Sequence, residues 1–294
     1  MTHPTPHPAG ALPDRQPRDN ELDVYGLTHA GKVRKSNQDH FLICSLRKQM
    51  QVHRTSLPDV DRLPTFENRL AFLAMVADGV GGNAAGETAS RVALEAVTRY
   101  LGHSVQCYYA GSSHDDRTFL ADLQEAAMRC HAEILAESDR DPDLAGMATT
   151  LTLWLSVWPR GYLLQVGDSR CYVLRQGELT QISRDQTMAQ ELIDAGVMAR
   201  AEADRTRWAH VLSSAIGGQQ TAPSVTRLDH AWDTVGLLCS DGLTRHVSDD
   251  RIRQRLLEMT SAREACESLL QDALEGGGSD NITILIGRSV PAES

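Results

Sequence analysis

The order of its segments predicts an α+β fold for this chain. Strand-like stretches come first, two helical patterns follow, then strands joined by short turns, then two more helical patterns and a last strand. Helices set apart from hairpin-linked strands separate this plan from a doubly wound α/β sheet, in which the two alternate. A further observation makes it a single domain. Aspartates at strand ends recur from Asp39 to Asp280, and no linker interrupts that span.

The elements follow in order. Residues 1–21 hold five of the eleven prolines and little apolar content, with no signal-peptide core, so a disordered tail is expected before a domain at 22–289. His40 to Cys44 reads as a strand, and the polar, aperiodic stretch 45–68 as an exposed insertion. The apolar run Leu70 to Ala77 stops at Asp78, passes a turn with Gly79, Gly81, Gly82 and Gly86, and opens into a helix. Ala89, Val92, Ala93, Ala96, Val97, Tyr100 and Leu101 recur there at helical spacing. A loop from Gly102 to Arg117 and a second helix, Thr118 to Ser138, come next. Leu151, Leu153, Leu155 and Val157 then alternate with Thr152, Trp154 and Ser156, the pattern of a strand with one buried face.

Turns at Arg160-Gly161 and Gln176-Gly177 join Tyr162–Val166, Cys171–Arg175 and Leu179–Ile182 into an antiparallel meander. The pattern weakens over 187–217 into short helical pieces, with a stop at Gly196, and a mobile surface flap is expected there. Ser224–Leu228 and Val235–Cys239 are strands. Ser248 caps a helix with Val247 and Ile252 at staple positions, and Ser261 with Glu264 forms a capping-box signature. Gly276 to Gly278 end that second helix, the strand Ile282–Ile286 follows, and 290–294 form a short C-terminal tail.

Composition bounds the function. A hydrophobic content of 41% and a charged content of 23% are those of an ordinary globular protein. A formal net charge of −10 argues against nucleic acid and anionic membrane as partners, since both need a basic footprint. It leaves room for phosphorylated substrates, because bound divalent cations reverse the local sign. The six cysteines lie far apart without a C-x-x-C pair, as expected of reduced thiols in a cytoplasmic protein.

Asp39, Asp78, Asp168, Asp241 and Asp280 all stand beside strands. An Asp-Gly pair after a strand is by itself an ordinary turn, and Arg34 alone an ordinary surface arginine. Five such carboxylates converging without histidine or cysteine would make an oxygen-only site, suited to Mg²⁺ or Mn²⁺ and not to zinc. Unneutralised, they would repel one another and take up protons. Two ions about 4 Å apart clamp a phosphoryl group for in-line attack, and a guanidinium close before the first aspartate suits a phosphate.

In its ordered motifs the chain resembles the metal-dependent serine/threonine protein phosphatases of the type 2C (PPM) family, in their short bacterial form. The motifs are Arg34 to Asp39 (RKSNQD), Asp78 to Gly82 (DGVGG), Gly86-Glu87, Gly146 to Thr150 (GMATT), Val166 to Arg170 (VGDSR), Ser240 to Leu243 (SDGL) and Gly278 to Ile282 (GSDNI). The resemblance implies a four-layer sandwich of two antiparallel β-sheets flanked by pairs of helices. It implies two Mn²⁺ or Mg²⁺ ions, and a third, weaker one. Asp78 would bridge the two core ions with the Gly79 carbonyl beside it, Asp241 and Asp280 would complete the first ion's shell, and Asp39 would act on the second through water. Asp168 with Asp241 would hold the third, and Arg34 would grip the substrate phosphate.

A hydroxide bridging the metals would attack phosphoserine or phosphothreonine on a protein, in a monomeric enzyme opposing a cognate serine/threonine kinase. Two positions depart from the family. Val80 stands where many eukaryotic members carry a histidine proposed as general acid, and Asp185-Gln186-Thr187 where bacterial relatives often read Asp-His-Ser. His40, beginning a strand, is expected to be structural. A catalytically silent phosphoprotein-binding module and a small-molecule phosphoesterase are the competing readings on the same fold.

Overall fold

The computed structural model describes residues 15–49, 67–81, 83–110, 116–203, 206–229 and 231–291. The first sheet takes β1 (Leu22–His29), β11 (Ile282–Ser289), β10 (Thr234–Cys239), β7 (Arg170–Arg175) and β8 (Glu178–Gln181), side by side in that order. The second takes β2 (Asp39–Gln49), β3 (Glu67–Val80), β5 (Leu151–Val157), β6 (Arg160–Val166) and β9 (Ser224–Asp229), with the short β4 (Ala148–Thr149) beside the end of β3. All of these pairs are antiparallel.

Helices α1 (Asn83–Ala110) and α2 (Asp116–Arg140) cover the outer face of the second sheet. Ala89, Ala93, Val97 and Leu101 of α1 and Phe119, Leu123 and Ile134 of α2 pack there on Leu73, Met75, Leu151, Leu153 and Leu155. Helices α6 (Asp249–Glu258) and α7 (Ala262–Glu275) cover the outer face of the first sheet through Ile252, Leu256, Cys266 and Leu269. Between the sheets lies a smaller core with Val76, Trp154, Leu163, Leu238 and Leu285. This is the expected four-layer α+β sandwich, two sheets between two pairs of helices, with an apolar core in each of the three spaces between layers.

Several local expectations change. Packing against the domain already begins at Arg15, whose guanidinium pairs with Glu21 at 2.6 Å, so 15–21 are not a tail, and 1–14 lie outside the described residues. Strands β2 and β3 extend to Gln49 and back to Glu67, taking both ends of the expected insertion into one ladder; 50–66 lie outside the description. Helix α1 runs on to Ala110, through Gly102, where a loop is expected, because one glycine costs a long helix only about 1 kcal/mol. Strand β5 is buried on both faces, its leucines against the helices and Trp154 between the sheets. The meander is divided: β5 and β6 pair in the second sheet, but Gly167 to Ser169 carry the chain across to β7 in the first. Segment 187–217 holds α3 (Met188–Asp194), capped by Thr187, and α4 (Arg200–Ala203), with Gly196 at φ +69° beyond the end of α3.

Candidate functional site

Strands from both sheets end at one pole of the sandwich. Asp39 begins β2 directly opposite Asp78 of β3, a cross-strand pairing of like charges that a sheet disfavours. The backbone of Asp78 is fixed from β4 and the start of β5: its N–H donates to Thr150 Oγ1 at 3.0 Å, and its carbonyl accepts from Thr150 N and Thr149 Oγ1, each at 2.9 Å. Gly79 must be glycine, since a Cβ would run into the Gly86 carbonyl where α1 begins. Asp39 Oδ2 accepts from Ser240 Oγ and Thr283 Oγ1, each at 2.7 Å, so a carboxylate of the second sheet is clasped by hydroxyls of the first. Its other oxygen, Oδ1, is buried with no hydrogen-bond partner.

Asp241 opens the short helix α5 (Asp241–Thr244), directly after β10, where the helix N-terminus favours negative charge. One turn on, Arg245 donates to Asp241 Oδ2 through Nε at 2.8 Å, and its Nη1 pairs with Asp280 Oδ2 at 3.1 Å. Arg34 grips the same Asp280 with two parallel bonds, Nε to Oδ1 at 2.8 Å and Nη2 to Oδ2 at 2.9 Å. Its loop is held by Asn281, whose Nδ2 donates to the carbonyls of Ala30 and Ser36 and whose Oδ1 accepts from Gln38 N. Asp168 sits in the crossing between β6 and β7, whose Gly167 N–H donates to Gln186 Oε1.

Two guanidiniums stand here against five carboxylates, and the carboxyl groups respond. Burial pushes Asp39 up to about 6, against the two hydroxyl donors that pull it back. Burial, then the charges of Asp39, Asp241, Asp168 and Asp280, holds Asp78 well above the usual carboxylate range. Asp168 is raised well above that range by burial and by Asp241 and Asp185, and Asp241 is raised by burial despite Arg245. Mutual repulsion of this kind requires that the five groups share one neighbourhood.

Among the described residues no three His, Cys, Asp or Glu side chains are drawn together into a ready metal cage; the arginines stand between Asp241 and Asp280 instead. The donor set nevertheless fits hard divalent cations. It is all oxygen, it carries excess negative charge, and it includes the orphaned Oδ1 of Asp39, a buried acceptor that a cation or its water would satisfy.

All the residues expected at the site therefore meet at this pole. Arg34 does so as a partner of Asp280 and, through charge, of Asp78. His40 binds Ser90 Oγ at 2.9 Å, the structural role expected of it. Val80 is 41% exposed and offers no proton. Asp185 pairs with Arg170 at 2.7 Å, and Thr187 caps α3. Sequence reasoning gave no role to Ser240, Thr150 and Asn281, although each stands in one of the ordered motifs, and missed Thr283 and Arg245. For Arg245 a local signal was available, an arginine four residues after an aspartate in a helical turn.

Comparison with known proteins agrees with this geometry. The family model described as protein phosphatase 2C matches residues 51–276. The serine/threonine protein phosphatase PstP of Mycobacterium tuberculosis is 37% identical over 216 residues, 74% of this chain but 40% of that protein. The chain thus spans well under half the length of that relative. The serine/threonine phosphatase stp of Listeria monocytogenes is 30% identical over 73% of this chain and 83% of its own length. Among solved structures, the catalytic domain of PstP in complex with two manganese ions superposes with a TM-score of 0.70 at 32% identity, covering 92% of this chain and 99% of that one. A family match across most of the sequence, on the two-sheet architecture and around the pole where the ordered motifs converge, means that the chain belongs to the protein phosphatase 2C family.

Proposed function

We propose that the chain hydrolyses phosphoserine and phosphothreonine on proteins with the help of divalent cations, opposing a serine/threonine kinase in the bacterial cytoplasm. One observation carries the reading: five aspartates standing at or beside the ends of strands of both sheets are gathered at one pole, Asp39 and Asp168 buried and the other three half-buried, with too few cations of the protein's own to balance them. The names of its relatives, and the two manganese ions in the PstP catalytic domain, support the same chemistry.

Asp78, Asp241 and Asp280, with the Gly79 carbonyl, would hold two Mn²⁺ or Mg²⁺ ions, Asp39 would hold their water, and Asp168 with Asp241 a third, weaker ion. Such ions, when bound, lower the pKa of water and draw charge from phosphoryl oxygens. The protein's own residues do the rest. Ser240 and Thr283 fix one oxygen of Asp39 and leave its buried Oδ1 without a partner of the protein's own. Thr149 and Thr150 fix the backbone around Asp78. Arg34, half exposed and forked onto Asp280, already has the planar, two-bond geometry with which it would grip a phosphate. The segment 187–217 borders the site and would shape the choice of phosphopeptide.

The test is Mn²⁺-dependent turnover of a phosphothreonine peptide beside a sugar phosphate and a nucleotide phosphate. Wild type is expected to prefer the peptide. Asp78→Ala and Asp241→Ala are expected to lose on the order of 10²-fold or more in kcat while staying folded. Near wild-type turnover in either variant would refute the assignment.

A further inference from the structure

The segment 187–217 borders the carboxylates, since the charge of its His210 reaches Asp241, and both of its ends are fastened by side chains. At the start, the buried amide of Gln186 accepts from Gly167 N–H at 2.8 Å and donates to the Ala222 carbonyl at 2.9 Å. At the finish, residues 215–218 make a tight turn in which Gly218 N donates to the Ala215 carbonyl at 3.1 Å and Gly217 takes φ +80°. A Cβ at Gly217 would also run into Ile134 of α2 and the Met147 carbonyl, so only glycine fits. Ile216 is bonded to Thr149 of β4 through both its N–H and its carbonyl, each at 2.9 Å, and Thr149 pairs in turn with Gly79, beside Asp78.

On its other side this turn is held by one ring. His131 of α2 accepts from Gly217 N–H at Nδ1, at 3.0 Å, and the Thr221 hydroxyl lies 2.8 Å from the same atom. An N–H aimed at Nδ1 fixes the neutral tautomer, with the ring proton on Nε2. Thr221 Oγ1 also reaches the Ala215 carbonyl, at 2.5 Å, which closes the turn on itself. A proton on Nδ1 would leave Thr221 able to accept, but it would set Gly217 N–H against a second N–H. Of the two fastenings, the amide of Gln186 does not titrate and the imidazole of His131 does.

Burial holds this ring below the ordinary histidine range. One turn away on α2 stand Ala127, Met128, Ile134 and Leu135, and residues 215–221 carry no titratable side chain. The neighbouring elements bring Arg227 on β9 and, where α1 meets α2, Arg99 on Glu133 and Arg129 over Tyr100. We propose that His131 is a positioning residue for the phosphopeptide, its Nδ1 seating the turn at 215–218 and with it the segment 187–217 beside the carboxylate pole. The inference rests on the function proposed above.

Separate kcat and KM values for a phosphothreonine peptide and for an aryl phosphate, measured on the full chain in saturating Mn²⁺, test it. His131→Leu is expected to keep kcat on the aryl phosphate within about twofold and to raise KM for the peptide at least about fivefold. His131→Asn, whose amide oxygen stands where Nδ1 was, should bring that KM back to within about twofold of wild type. As the pH falls below about 6.5, KM for the peptide should rise more steeply in wild type than in His131→Asn, the titration of the phosphate itself being common to both. Peptide turnover in wild type with an unchanged KM in His131→Leu overturns the inference alone. So does an equal loss on both substrates, or an acid-side rise as steep in His131→Asn as in wild type. Wild type that turns over the aryl phosphate and not the peptide overturns the function beneath it as well. Where His131→Leu does not fold, His131→Asn and its pH profile decide.

Discussion

At the scale of single residues, Asp39 and Arg245 decide how the pole behaves without metal. Asp39 is 3% exposed and its carboxyl is held up at about 6, so between the ordinary carboxylate range and pH 6 the folded state binds a proton that the unfolded state has released. The sign follows: its contribution to stability falls as pH rises through that window and is spent above it. Metal-free protein should therefore lose stability from about pH 4 to pH 6, and Asp78→Asn, which removes one of the repelling charges, should melt no lower than wild type at neutral pH while being inactive. Calorimetry in chelator across that range checks both. Arg245→Met should lower the melting temperature of the metal-free form and enlarge the increment that Mn²⁺ restores, because the carboxylates lose their internal counter-ion. An unchanged increment would contradict this role. The five aspartates were legible because each stands beside a strand in its own motif. Ser240 and Thr283 were not, because which hydroxyl reaches Asp39 depends on how one sheet is set against the other, and no local pattern encodes that.

At the scale of elements, Asp272 of α7 ties the two outer helices together. It accepts from Arg251 Nε and Nη2 and from Arg255 Nε and Nη2, both on α6, over 2.7–3.0 Å. Those hydrogen bonds hold its carboxyl far below the usual range. The stabilisation is thus complete above about pH 4 and lost as the pH falls below it. Asp272→Ala is expected to cost about 1–2 kcal/mol at neutral pH, read from urea unfolding, with less difference from wild type in acid. The caps of these helices were legible. Ser248 accepts from Arg251 N and Ser261 from Glu264 N, but Glu264 reaches back to Thr260 N in place of the cap residue itself. The pattern predicts a shorter α1 that stops at Gly102, but the cost of one glycine is small and Val105, buried beyond it, helps to carry the helix on.

For the whole molecule, the division of the meander between two sheets is the step that sequence alone could not show. Turn residues at Arg160-Gly161 and Gln176-Gly177 announce hairpins, but nothing in Gly167-Asp168-Ser169 says that the chain changes sheets there. That crossing, with β2, β3, β10 and β11 ending at the same pole, makes cation binding an event felt by the entire sandwich. Mn²⁺ at about 100 times its dissociation constant should add about 2.7 kcal/mol to unfolding. The shift should vanish in Asp78→Asn, which differential scanning measures without any substrate. The clasp on Asp39 has a further consequence for reading this lineage. An acid that also fastens one half of the protein to the other is expected to outlast the loss of turnover. Surveys that sort working copies from dormant ones should therefore give little weight to position 39 and most to positions 78 and 241.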